Sequence, residues 1–325
     1  MNDDTLIAPS TPRYEIRRLP RSDWSALAPF IHRHNRVDGG VRCLHAEQGD
    51  TVGQHAQELA DLAAGPQDEA AFWAVHEAAS GAAGEAAGEV AGEVAAMIGC
   101  VMDPALRRAW LRGPLLAQAG DPALARRLVE RLQAELAPAI HCFDAFPAEA
   151  DEPLNQLYRE AGFRPMGVYR VMQADLAEGP PAHGAAGGAL ARAATVADLP
   201  PLLALHHALF RSSYLKDSDF EAALAAEDRR MLVAVVDGRI AGYLHAKDDP
   251  AEDEVYVDYL GVDEGLRGRG LGGALLREAI AWGRGLGRRK ASLTVREDRP
   301  VALRLYERAG FRQLRAGMHW RSGAD

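Results

Sequence analysis

The sequence predicts an α/β protein built from two tandem domains. Three observations carry that reading. Leu157-Tyr158-Arg159-Glu160-Ala161-Gly162-Phe163-Arg164 returns as Leu305-Tyr306-Glu307-Arg308-Ala309-Gly310-Phe311-Arg312, six of eight positions identical at an offset of 148. Such a spacing marks a duplicated domain, since solenoid repeats recur every ~20–50 residues. Strand-like and helical runs also follow one another in the same order in both halves. Between them Glu178–Gly188 (EGPPAHGAAGG) has no hydrophobic periodicity and two adjacent prolines, which reads as a linker. The chain therefore divides into a tail (1–13), a first domain (14–176), a linker (177–189) and a second domain (190–325).

In the second half, Val196–Phe210 and Ser218–Ala226 read as helices, with Asp198 as an early cap and Pro200 and Pro201 in the opening turn. Met231–Val236 and Arg239–Lys247 read as strands joined by Asp237-Gly238, a favoured two-residue hairpin turn. A third strand, Val255–Val262, leads into Arg267-Gly268-Arg269-Gly270-Leu271-Gly272-Gly273 and the helix Leu271–Gly285. Strand Lys290–Val295, a helix from Pro300 to Ala309 closed by Gly310, and an apolar segment around Gly317–Trp320 complete the half. The first half repeats this with helix Asp23–Arg36, strands Ala70–Val75, Val94–Asp103 and Ala109–Leu116, and helix Pro122–Leu136. Its hairpin is lengthened by the low-complexity segment Ala79–Glu93, read as a loop.

At 325 residues, 48% apolar and 26% charged, the chain can bury two cores as a soluble protein. A net charge of −9 argues against a nucleic-acid binder. Cys43, Cys100 and Cys142 are widely separated, and neither they nor His32, His34, His206 and His207 have metal-ligand spacing, so no metal is expected. The acidic N-terminus has no secretory apolar region, and no apolar run approaches the roughly 18 residues that span a bilayer. The expected location is the cytoplasm, with thiols reduced and no membrane partner.

The segment Arg267–Gly273 is the strongest chemical signal. Glycines let backbone N–H groups approach a ligand, a helix N-terminus attracts anions, and two arginines add fixed positive charge. The ligand predicted here carries phosphates. Gly268-x-Gly270-x-x-Gly273 also satisfies a dinucleotide fingerprint, but five residues (263–267) separate it from its strand and the half opens on a hairpin. No Lys-Ser or Lys-Thr follows, which excludes a Walker loop.

Leu260-x-Val262-Asp263-x-x-x-Arg267-x-x-Gly270-x-Gly272 resembles the coenzyme A motif of the GNAT superfamily of N-acetyltransferases. Ala302-x-x-Leu305-Tyr306-x-x-x-Gly310-Phe311 resembles that family's second signature, in the family's order and spacing. The resemblance covers roughly residues 190–321. It implies two tandem GNAT-like folds, each a mixed, mostly antiparallel sheet flanked by helices. It also implies acetyl-CoA as co-substrate and transfer of acetyl to a primary amine, on a small molecule or a protein, by direct attack in a ternary complex. A non-catalytic acyl-CoA sensor is the alternative from another class, and an NAD(P)-dependent oxidoreductase a distant one.

By the same resemblance, backbone donors around Leu260 and Val262 hold the pantetheine arm and the carbonyl oxygen. Arg267, Gly268, Arg269, Gly270, Gly272 and Gly273 cradle the phosphates. Tyr306 matches the general acid near the sulfur, or is a core aromatic as its counterpart Tyr158 suggests. For the general base, Asp258 and Tyr256 lie at alternate positions and hence on one face. Asp258 is the choice, against a solvated or capping carboxylate, with His245 a third candidate. The acidic run Asp248–Glu254 either attracts a cationic amine or solvates a hairpin tip. Arg299 stands where many family members carry asparagine, and either reaches a coenzyme phosphate or faces solvent. At the 148 offset, Ala119, Pro122 and Leu124 replace Arg267, Gly270 and Gly272, and Gly113 matches Gly261. The first domain is therefore expected to be a degenerate copy that packs against the second, with a wall of the acceptor site as its sharper role. The oligomeric state stays open, a monomer with an internal pseudo-dimer being one form.

Overall fold

The computed structural model describes residues 15–37, 40–42, 51–76, 93–118, 121–177, 191–210, 213 and 215–323. The expected tail, most of the loop Ala79–Glu93, Ala119 and the linker Glu178–Gly188 lie outside the described residues.

In chain order the first half carries β1 (Arg17–Arg18), a 3-10 turn (Arg21–Leu27), α1 (Ala28–His34), β2 (Arg36–Val37), β3 (Gly40–Val41), α2 (Val52–Ala64) and β4 (Ala70–His76). It continues with β5 (Val94–Asp103), β6 (Arg108–Leu116), α3 (Pro122–Leu136), β7 (Cys142–Ala145), α4 (Glu152–Glu160) and β8 (Arg164–Asp175). The second half has β9 (Ala191–Ala193), a 3-10 turn (Val196–Asp198), α5 (Leu199–Leu209), α6 (Asp217–Ala225), β10 (Arg229–Val236), β11 (Arg239–Asp249) and β12 (Glu254–Val262). After the 3-10 turn Glu264–Leu266 come α7 (Leu271–Gly285), β13 (Lys290–Arg296), α8 (Pro300–Arg308) and β14 (Arg312–Gly323).

Two compact units result, and only the second is a continuous segment. One takes in the chain up to Met166 together with residues from Gly317 onward; the other is Gly167–Ala316. The linear division at the linker is crossed twice, because each half sends a strand into the unit built by the other. In the first unit the order is β1-β4-β5-β6-β7-β14, where β6 and β7 run parallel and Trp320–Gly323 pair with Ala145–Cys142. In the second it is β8-β13-β12-β11-β10-β9, with β12 and β13 parallel and β8 antiparallel to β13. Each is a mixed sheet with helices packed on it, as expected.

The strand from the far half is an integral part of each core. Met172, Ala174 and Leu176 are buried with Leu293, Leu275 and Phe311 in the second unit. Trp320 is buried with Leu128, Leu154 and Leu157 in the first, and its indole N–H donates to Asn155 at 2.8 Å. Below it the fully buried Asp144 carboxylate receives Arg108, Arg321 (2.8 Å) and His319 (2.6 Å). Burial alone would push this carboxyl up, but those three donors together hold it well below the usual carboxylate range. Asp144→Ala leaves two guanidinium groups and an imidazole uncompensated, and should destabilise the first unit by about 3–5 kcal/mol in chemical denaturation.

Local signals explain most helix ends. Thr51 and Gln54 form a capping box at α2, a helix the periodicity did not predict although this pair announces it. Thr195 caps the turn before α5; Asp198, expected as an early cap, closes the box with Thr195 and binds Arg192 at 2.7 and 2.8 Å. Asp237 and Gly238 take φ 48° and 75°, as a two-residue hairpin turn needs. On the α5 side of the second unit, His206 is buried and hydrogen-bonded through Nδ1 to the Tyr243 hydroxyl at 2.5 Å. Burial, and secondarily His207, push this imidazole down to about 4. The unfolded chain, titrating near 6.5, then binds the extra proton first, so stability falls as pH drops from about 6.5 to 4, by up to about 3 kcal/mol. His206→Gln should flatten that part of the urea-midpoint profile.

Candidate active site

The helix α7 begins on Gly270, whose φ of 79° and ψ of 3° are left-handed and whose position carries no side-chain cap. Gly268 shares φ 79°, so the two glycines supply a backbone path that other residues adopt only with strain. The first helical bond closes from Ala274 N–H to the Gly270 carbonyl at 3.0 Å. Helix geometry leaves the N–H groups of Leu271, Gly272 and Gly273 ahead of it as donors without an intrahelical acceptor. Gly272 serves packing: a Cβ there would sit 3.0 Å from Leu305 and 3.6 Å from Leu260. The end of β12, the start of α7 and α8 therefore meet at this residue. Arg267 and Arg269 are exposed beside the helix start, Arg267 pairing with Glu264 at 3.1 Å.

The strand β12 opens its second edge toward this helix start. It pairs with β13 only over Glu254–Val257, whereas its pairing with β11 continues to Val262. Backbone groups of 258–262 on the β13 side pair with no strand among the described residues. Leu260 and Val262 lie on that stretch and direct their side chains into the α7-side core.

A bulge causes the change. His245 pairs with Tyr259 and Ala246 with Val257, so Asp258 is the extra residue. The alternation breaks there: Val255 and Val257 pack on the α7 side before it, Leu260 and Val262 after it. Placing Tyr256 and Asp258 on one face by simple alternation therefore does not describe this strand. The Asp258 side chain is only 4% exposed, with Lys247 Nζ at 2.7 Å and His245 Nδ1 at 3.3 Å from Oδ2. Lys247 was not among the residues singled out from sequence, although it lies two positions from His245 on the same strand. The acidic run is partly occupied, since Asp248 holds Arg288 at 2.6 Å and Asp253 holds Arg289.

Tyr306 is buried on α8 among Leu271, Leu275 and Phe311. Burial pushes its phenol up to about 12, with Tyr256 adding to the shift. Its counterpart Tyr158 donates its hydroxyl to the Gly113 carbonyl. Among the described residues the Tyr306 hydroxyl makes no such bond. Arg299 is exposed at the uncapped start of α8, where its partner is Asp298 at 3.5 Å rather than a residue of the glycine loop.

The first unit closes the equivalent openings. Asp121 caps α3 by accepting from Leu124 N–H at 2.9 Å, and Asp151 caps α4 through Leu154 N–H at 3.2 Å. The connection before α3 has five residues (117–121) against eight (263–270) before α7. Pairing of Arg108 with Cys142 and of Glu254 with Lys290 relates β6 to β12 at an offset of 146, not 148. Gly113 thus corresponds to Tyr259 rather than Gly261, and Arg112, paired with Glu58, to Asp258.

Known proteins resemble this chain in sequence and in fold. The model of the acetyltransferase (GNAT) family matches residues 199–311, within the second unit. The N-alpha-acetyltransferase RimI of Mycobacterium tuberculosis is 36% identical over 112 residues, 33% of this chain and 68% of that protein. The chain belongs to the GNAT acetyltransferase family. The mycothiol acetyltransferase of Clavibacter sepedonicus is 40% identical over 91 residues, so the match spans 28% of this chain and 29% of that relative. Over nearly the whole length the GNAT fold is shared with a GCN5-related N-acetyltransferase from Sphaerobacter thermophilus (TM-score 0.71, 22% identity, 96% of each chain). It is shared too with a tandem GNAT protein from the clavulanic acid biosynthesis pathway (TM-score 0.59, 17% identity, 96% and 99% covered). Among the described residues of this GNAT protein no helix is long and apolar enough to cross a membrane.

Proposed function

We propose that the chain transfers acetyl from acetyl-CoA to a primary amine, on a small molecule or a protein, by direct attack in a ternary complex. One observation carries the reading: α7 starts uncapped on Gly270, directly after the two exposed arginines Arg267 and Arg269, whereas α3 fills the same place with the Asp121 carboxylate. An open helix start with fixed positive charge fits a pyrophosphate, and a carboxylate there repels one. Acetyl-CoA supplies the activated carbonyl and the thiol leaving group. Donors at Leu271–Gly273, with Arg267 and Arg269, hold its phosphates; the unpaired edge at Leu260–Val262 fits the pantetheine amides and the carbonyl oxygen. Asp258 takes the proton of the attacking amine, and Tyr306 gives one to the departing sulfur. Arg299 is assigned to the coenzyme side, at the second open helix start.

The first unit is read as a degenerate copy that binds no coenzyme, since Asp121, Asp151, the Tyr158–Gly113 bond and the Arg112–Glu58 pair fill its openings. Cys100 and Cys142 are buried and in no disulfide, which suits a cytoplasmic location. Calorimetric titration should find one acetyl-CoA per chain. Replacing Arg267 or Arg269 by Gln should weaken it by about 1 kcal/mol each, roughly fivefold in Kd. Thiol release with spermidine, glucosamine and an N-terminal peptide tests transfer. Binding without release to any amine in a broad panel would favour the sensor instead, and two sites per chain would remove the degenerate copy.

A further inference from the structure

The ladder between the parallel strands β12 and β13 ends at Val257 and Leu293, and beyond it the two strands form an open fork. One side-chain bond crosses that fork. Tyr256 stands opposite Ser292 in the register, yet its hydroxyl bonds the Thr294 hydroxyl at 3.2 Å. Thr294 is two positions further along β13, about 7 Å toward the open end. The phenol ring therefore leans past the last strand pair and lies across the apex of the fork. Burial pushes Tyr256 up to about 12, with Asp258 and Glu254 adding to the shift, so at neutral pH it is a donor and not a base. The phenol is near enough to Tyr306 to add to that residue's own shift, so a second ring bounds the apex from α8.

The helix start fixes the direction in which the coenzyme lies. Gly272, one of the phosphate donors, sits beside Leu260 and Val262 at the far end of the open edge. A pantetheine arm laid along that edge runs from Val262 back toward Asp258 and brings the thioester to the apex. The acyl tail beyond the carbonyl then points at the Tyr256 ring. We infer that Tyr256, tied to Thr294, is the acyl-length gate of this site, leaving room for acetyl and excluding longer chains. The inference rests on the acetyl-transfer reading above. An acetyl group ends in one methyl, whereas each added methylene must displace the ring or break its bond to Thr294.

The test uses the full chain, the fastest amine of the panel, and acetyl-, propionyl- and butyryl-CoA. One methylene in a fitted pocket is worth roughly 10–200-fold, so the wild type should use butyryl-CoA about 100-fold less well than acetyl-CoA in kcat/KM. Tyr256→Ala should bring the two within about tenfold, chiefly by a gain with butyryl-CoA. Thr294→Val keeps the ring but frees it, and should raise the butyryl-to-acetyl ratio several-fold. That variant decides if Tyr256→Ala does not fold. A wild type that takes butyryl-CoA as readily as acetyl-CoA, or folded variants whose ratio does not move, overturns the gate. Calorimetric affinities of the three thioesters should fall in the same order, and they repeat the test without turnover. No turnover with any amine and any thioester removes the transfer reading, and the affinity ratio then still judges the gate. Acetyl turnover with an unmoved ratio removes the gate alone.

Discussion

Residues 167–316 produced alone are expected to fold and to bind acetyl-CoA, whereas residues 190–325, the second domain as drawn from sequence, are expected to do neither. The 190–325 piece lacks β8 and the residue after it, and with them Met172, Ala174 and Leu176 of the core. Burying a methionine or leucine side chain contributes roughly 1.5–3 kcal/mol, so these residues alone represent a large part of a domain's net stability. Without β8, the paired edge of Lys290–Arg296 is also left open to water and to other chains. The same piece carries Trp320 and the Asp144-binding strand with nothing to receive them. Far-UV circular dichroism and calorimetric titration of the two fragments decide the matter. A stable, coenzyme-binding 190–325 would mean that the exchanged strand is dispensable.

Tyr306→Phe should lower kcat by about 10²–10³-fold with little change in acetyl-CoA affinity or thermal stability. The hydroxyl has no bond to lose among the described residues, and the ring keeps its place against Phe311. What disappears is a proton positioned for the leaving sulfur, a contribution of general-acid size. Because burial raises this phenol to about 12, it remains protonated across the alkaline range in which an ordinary tyrosine ionises. The acid form is therefore present at every working pH, and no loss of rate near pH 10 should trace to Tyr306. Tyr158→Phe gives the control with the opposite signature. It removes the bond to Gly113 and should cost about 1–2 kcal/mol of stability with no direct effect on chemistry. A Tyr306→Phe variant with unchanged kcat would return that residue to the core.

The elements most legible in the sequence were those whose period and punctuation agree. β5, α3 and α7 have the bounds expected of them, because apolar spacing is reinforced at their ends by Asp121-Pro122 or by Gly270. The loop Arg267–Gly273 was legible because its glycines are required by φ at 268 and 270 and by contact at 272. Pairing between distant segments was not legible. Nothing in the period of Arg164–Asp175 or Arg312–Gly323 says which unit completes its sheet with them. The bulge at Asp258 escaped for a related reason, since one inserted residue is defined only by the partner strand. A single offset of 148 also misplaced β6, where the shorter connection before α3 absorbs the difference.

The exchanged strands impose an order on synthesis. A ribosome delivers the chain from its N-terminus, and domains usually fold in that sequence. Here Gly167–Ala316 has every strand it needs before Gly317–Gly323 is made, while the earlier-born unit must wait for that segment to emerge. The coenzyme-binding unit should therefore mature first and its elder neighbour last. A premature stop shortly after residue 316 would strand the N-terminal unit unfinished beside a completed one.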